Sequence, residues 1–251
     1  MILLAFLCNM SDFRKPTLFT CVSPALLHLY DVTDTVVVVI DVFRATSTIA
    51  AALHNGAEKI IPVETVEGAI EIGMEQGAIT AGERDGRIAP GLQYGNSPLE
   101  YPTDFISGKT LVLTTTNGTR LLHLALKHGA TEVITGAFAN LSAVCDYLLA
   151  TGKNVILGCA AWKDRVNMED TLFAGAVVSR LQEHFTIHCD ASLAAATLYE
   201  TVKPYFWEFT KRTTHYHRLA AYGLEKDMEW CMTEDIANTL CVYNNGLLVK
   251  A

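Results

Sequence analysis

Charge is scarce in this chain. Only 18% of its 251 residues are Asp, Glu, Lys or Arg, against 50% hydrophobic, so a large core is available and disorder is excluded. No run of Lys or Arg occurs and the net charge is −8, which argues against a nucleic-acid or anionic-membrane surface. CxxC pairs are absent. The seven cysteines (8, 21, 145, 159, 189, 231 and 241) form an odd set, several inside apolar runs such as Val155-Ile156-Leu157-Gly158-Cys159. That usage fits a reducing, cytoplasmic compartment better than a disulfide framework. No apolar stretch is long enough to span a bilayer. The opening Met1–Cys8 lacks the basic region and the cleavage site of a signal peptide. There is no Walker loop, no GxGxxG after a strand and no GxSxG elbow.

What is present alternates. Val36–Ile40 is five β-branched residues in a row, the pattern of a strand buried on both faces. The spacing predicts a helix from Thr46 to Asn55-Gly56, a strand over Lys59–Val63 and a helix over Thr65–Gln76, followed by a short strand at Ala78–Ala81. A Gly- and Pro-containing loop is expected over Gly82–Pro102. Strands then follow at Lys109–Thr115, Glu132–Gly136 and Asn154–Cys159, with helices at Gly118–His128, Leu141–Ala150 and Glu169–Phe185. Beyond Asp190 a helical, loop-rich cap is expected. The fold class is α/β, a three-layer α/β/α arrangement around a mostly parallel or mixed sheet. No low-complexity linker interrupts it, so one domain is expected, with Pro102–Gly108 the one place where a split is conceivable.

In open α/β sheets, ligands gather where strand ends lead into helix N-termini. Two such junctions, Asp41-Val42-Phe43-Arg44-Ala45-Thr46-Ser47-Thr48 and Thr114-Thr115-Thr116-Asn117-Gly118-Thr119-Arg120, offer hydroxyls, backbone amides and one Arg each. That combination suits a phosphate. Ordinary N-capping explains any one of these residues by itself, and both readings stand. On the first, Arg44, Thr46, Ser47, Asn117, Gly118 and Thr119 hold phosphate, and Arg84, Lys163, Arg165 and Arg218 serve further anionic groups. Asp41, Glu169 and Asp170 are the candidate ligands for Mg²⁺, which takes one or two carboxylates beside waters and substrate oxygens. Glu169 and Asp170 equally fit a helix start capped by Asn167. Glu83 is the candidate base, with a salt bridge in its own loop as the alternative. His215 and His217 lie two apart and read as surface or substrate-edge residues. Asp41-Val42-Phe43 breaks the Asp-x-Asp of haloacid-dehalogenase-type phosphatases at its third position, which favours water over a carboxylate as nucleophile. A non-catalytic binder of small organic anions would need the same basic pocket, but it gains nothing from the carboxylates.

Taken together, Val39–Thr48, Gly82-Glu83-Arg84, Gly95-Asn96-Ser97-Pro98, Thr114–Thr119, Gly136–Asn140 and Glu169–Gly175 resemble the 2-phosphosulfolactate phosphatase (ComB) family. The resemblance runs from about Val36 to Gly175 and continues more weakly through His215-Tyr216-His217-Arg218 to Cys241. It implies a Mg²⁺-dependent phosphoric monoester hydrolase, active in coenzyme M biosynthesis, on a substrate carrying phosphate, carboxylate and sulfonate on three carbons. A phospholactate or phosphoglycerate is the alternative substrate. It also implies one family domain over 11–251, with residues 1–10 an extension outside the family pattern. The mean hydropathy of +0.24 leads to the expectation of a homodimer, formed through Tyr205, Phe206 and Trp207.

Overall fold

The computed structural model describes residues 15–251, so the expected extension lies outside the described residues. The strands are β1 Leu18–Cys21, β2 Thr35–Ile40, β3 Lys59–Val63, β4 Ile79–Arg84, β5 Arg87–Ile88, β6 Thr110–Thr114, β7 Glu132–Gly136, β8 Asn154–Cys159, β9 Cys241–Asn244 and β10 Leu247–Lys250. The α-helices are α1 Ala45–His54, α2 Val66–Gln76, α3 Thr103–Ile106, α4 Gly118–Lys127, α5 Leu141–Thr151, α6 Met168–Leu181, α7 Asp190–Val202, α8 Phe206–Thr210, α9 Thr214–Ala220 and α10 Glu225–Cys231. No helix among the described residues is long and apolar enough to cross a membrane.

All ten strands join one mixed sheet in the order β1-β8-β2-β7-β9-β10-β3-β6-β4-β5. The β-branched run of β2 is buried along its whole length, and its side chains alternate between two helical layers. Val36, Val38 and Ile40 pack with Val144 of α5, Phe173 of α6 and Tyr199 of α7, while Val37 and Val39 meet Leu121 and Ala125 of α4. In the same way Ile60 of β3 joins the cluster under α1, and Ile61 joins Ala69 of α2.

Four features depart from the sequence reading. The expected helical cap holds α7 to α10 but ends in the β9–β10 hairpin, which sits mid-sheet between β7 and β3. Its turn is Asn245-Gly246, both at positive φ (47° and 89°), the conformation of a tight hairpin turn. The Gly82–Pro102 loop contains the end of β4 and all of β5. The helix expected to reach Phe185 stops at Leu181. Of the three residues expected at a dimer interface, Phe206 and Trp207 are half-buried against Phe138 and Tyr216 respectively, while Tyr205 is exposed.

The hairpin has a positional consequence. β1, β8, β2 and β7 pair in parallel, as do β3, β6 and β4, but three antiparallel steps separate the two blocks. By pairing alone their carboxyl ends point opposite ways. Right-handed twist of about 20–25° per strand step rotates one block against the other. The loops after β2 and β6 then meet, with Gly118 against Asp41.

Candidate active site

Asp41 follows β2 directly and is 7% exposed. Its backbone N–H donates to Thr46 Oγ1 at 3.1 Å, and its carbonyl accepts from the Thr46 amide at 3.0 Å, so the turn into α1 is closed locally. The Ser47 hydroxyl donates to the Val42 carbonyl (2.8 Å) and the Thr119 hydroxyl to the Thr115 carbonyl (2.9 Å). These three hydroxyls are engaged within their own turns. Gly118, the first residue of α4, permits the close approach of that helix: a Cβ there would lie 2.9 Å from Asp41 Oδ2 and 2.8 Å from Ala45 Cβ. Burial pushes the Asp41 carboxyl up to about 7. His215 opposes the rise, and Glu83 and Glu169 add to it.

The N-terminus of α6 brings two more acids, each 1% exposed. Asp170 is bound on both oxygens, accepting the Val42 amide at 2.9 Å and the Ala161 amide at 3.2 Å. It ties the loop after β2 to the loop after β8. Burial, with Glu169 and Asp41 nearby, holds its pKa well above the carboxylate range. Glu169 instead meets His215 of α9, Oε1 to Nδ1 at 2.5 Å, while its Oε2 is buried with no partner among the described residues. His215 is buried and presents its ring to Phe43 edge-to-face at 5.7 Å, so of the surface and substrate-edge positions expected for it the surface one does not hold.

A narrow cleft of about 30 Å³ opens here, closely lined by polar and charged side chains. Asp41, Arg44, Glu83, Asn117 and Arg218 line it, together with Phe43, Asp85, Gly86, Asn96, Thr116, Trp162 and His215. Arg44 is ion-paired with buried Asp227 of α10 and donates to the Gly86 carbonyl at 3.2 Å. Glu83 accepts the Gly86 and Thr116 amides, each at 2.9 Å, bracing the β4–β5 turn against the β6–α4 loop. Arg218 makes no ion pair among the described residues and lies over the Trp162 ring, 3.9 Å from its centroid. The loop carrying Trp162 has Ala161, Lys163 and Asp164 at φ between 51° and 59°, left-handed backbone of the kind that clusters at functional sites.

A family model for 2-phosphosulpholactate phosphatase matches residues 21–246. The chain belongs to the 2-phosphosulfolactate phosphatase family. These are phosphoric monoester hydrolases. A protein of Thermotoga maritima named a probable 2-phosphosulfolactate phosphatase is 44% identical over 84% of this chain and 90% of its own length. A protein of Caldanaerobacter subterraneus with the same name is 37% identical over 87% of this chain and 91% of its own length, and one of Clostridium perfringens is 35% identical over 84% and 87%.

Within this family member, the cleft gathers the two expected helix starts and Arg218 but not every expected residue. Arg84 points away, donating to the Glu83 carbonyl (2.7 Å) and Thr114 Oγ1 (3.1 Å), and lies with Arg120 in a neighbouring groove. Lys163 and Arg165 are exposed on the loop after β8; Lys163 sits over Trp162 at 4.5 Å. Among the described residues no three His, Cys, Asp or Glu side chains are placed to hold an ion by themselves. Sequence reasoning missed Asn96, Trp162 and Asp227 as members of the site, and it left His215 between a surface and a substrate-edge position. Gly95-Asn96-Ser97-Pro98 stood out as a segment, but Asp227 sits in an ordinary helical pattern that carries no signal.

Proposed function

We propose that this chain hydrolyses 2-phosphosulfolactate or a closely related small 2-phospho acid to the 2-hydroxy acid and phosphate, using Mg²⁺, in the cytoplasm. The observation that carries the reading is the convergence on one small cleft of buried Asp41, of His215 held from behind by Glu169, and of Arg218, which has no ion pair among the described residues. The names of the relatives and the family match support the substrate class. The six described cysteines are all free thiols, in keeping with a reducing compartment.

The carboxylates fit the ion. Glu169 Oε2 is a buried oxygen without a partner, and Asp41 is a buried acid whose charged form is disfavoured. A divalent cation would satisfy the first and offset the second, with waters and substrate oxygens filling the remaining positions. Asp170 has both oxygens on amides, and its part is to hold the loops. When bound, Mg²⁺ supplies charge neutralisation on the phosphoryl oxygens.

The remaining steps fall to the chain itself. Asn117 and the amides that begin α4 receive the phosphoryl group. Arg218, positioned over the Trp162 ring, receives the second anionic group. Protonated on both ring nitrogens, His215 donates Nδ1–H to Glu169 and gives its Nε2 proton to the leaving alkoxide oxygen, which leaves the neutral ring still bonded to Glu169. Water attacks phosphorus in line as the bond to the alkoxide oxygen breaks, and the proton it loses passes to the Asp41 carboxylate. Phosphate release from a panel of 2-phospho acids, in Mg²⁺ and in EDTA, tests this. Release that requires Mg²⁺ is expected; no release under either condition would leave an anion binder.

A further inference from the structure

Asn96 stands outside the machinery described so far. It is 3% exposed, yet its Oδ1 has no hydrogen-bond partner, and none is found for its Nδ2 among the described residues. Its neighbours on both sides are fully engaged. The Gly95 amide donates to Glu100 Oε2 at 2.6 Å, the Tyr101 hydroxyl donates to the Gly95 carbonyl at 2.6 Å, and Ser97 Oγ accepts the Leu99 amide at 3.2 Å. The backbone of this segment is therefore pinned, and the one amide it presents without a partner stands in the cleft wall. Asn96 also lines a second, adjoining cavity that shares Arg44 and Gly86 with the first and extends to Arg87 and Tyr222. Folding alone does not account for the buried Oδ1, which costs stability without a partner, and the Nδ2 beside it is a donor with no partner among the described residues.

We propose that Asn96 is a substrate-binding residue, its amide donating to an anionic oxygen of the phospho acid at the junction of the two cavities. A neutral donor suits this position. Asp41, Glu83 and Asp85 already line the cleft with acids, and Arg44 is paired with Asp227. An amide binds an anion there without adding a charge that needs its own partner. The proposal rests on the phosphatase reading and sharpens it to one contact.

The test combines stability with kinetics in Asn96→Ala and Asn96→Asp, alongside the wild-type chain. Asn96→Ala removes a buried, unpaired amide oxygen, so its Tm without ligand is expected to equal or exceed the wild-type value. Its KM for a 2-phospho acid should rise roughly ten- to a hundredfold, the loss of one hydrogen bond to a charged group, and its kcat should change less. The Tm increase that inorganic phosphate gives the wild type should shrink in the same variant. Asn96→Asp, which sets a carboxylate against the anion, should raise KM further. A folded Asn96→Ala with wild-type KM, or one whose Tm falls while its kinetics hold, overturns the assignment and leaves the phosphatase reading intact. A wild-type chain with neither turnover nor a phosphate response overturns both.

Discussion

At the scale of single residues, Arg44 shows how burial changes a role. Adjacent to a helix start it reads as a phosphate ligand, but its guanidinium is paired with Asp227, and both groups are buried. Removing one partner of such a pair strands the other charge. Arg44→Ala is therefore expected to lose about 3–5 kcal/mol of stability, measured by urea unfolding, and Arg44→Met with Asp227→Leu should regain most of it. A variant as stable as the parent would place the pair outside the core of the site. Asp41 makes the opposite prediction. Its carboxyl is raised from 3.8 to about 7, so the folded state holds its proton more tightly than the unfolded chain does. The associated stability is complete below about pH 4 and is lost as pH rises through 7. Asp41→Asn removes this dependence. Without Mg²⁺ the variant should be the more stable protein at pH 8, by on the order of 2–4 kcal/mol, with the gap closing toward pH 4. A gap independent of pH would contradict the burial argument.

At the scale of elements, α6 carries Glu169 and Asp170 into the site, and its depth is set by its contact with α7. A Cβ on Gly175 would lie 2.1 Å from the Ala195 carbonyl oxygen, a backbone atom with no rotamer to yield. Gly175→Ala should cost roughly 1–3 kcal/mol by overpacking and lower Tm; an unchanged Tm would mean the two helices separate freely. Most elements were legible in the sequence because their signals are local. The β-branched run of β2 and the glycine stops after α2 and α5 are examples. The β9–β10 hairpin was missed although Asn245-Gly246 is a strong turn signal, since two four-residue strands after a run of short helices look like the tail of a cap. Half of the site was legible for the same reason. Asp41, Asn117 and Gly118 follow strands, whereas His215 reaches Glu169 across 46 positions and Asp227 reaches Arg44 across 183.

At the scale of the molecule, the hairpin joins two parallel blocks into one twisted sheet, and the junctions after β2 and β6 meet at a single cleft. Association is a separate property of the whole. We propose a homodimer on the strength of the apolar composition, although Phe206 and Trp207 are half-buried against Phe138 and Tyr216. Light scattering should return about twice the 27.4 kDa of one chain, and a value near 27.4 kDa would refute association. The central claim is that the Asp41 cleft is where a phosphoester is hydrolysed. The direct measurement is steady-state phosphate release from 2-phosphosulfolactate in Mg²⁺ by the parent and by Asp41→Asn, whose folding the pH series checks independently. The account predicts turnover by the parent and a loss of at least about a thousandfold in kcat/KM for the variant, or some 4 kcal/mol of transition-state stabilisation. A folded Asp41→Asn that releases phosphate at the parent's rate would contradict it.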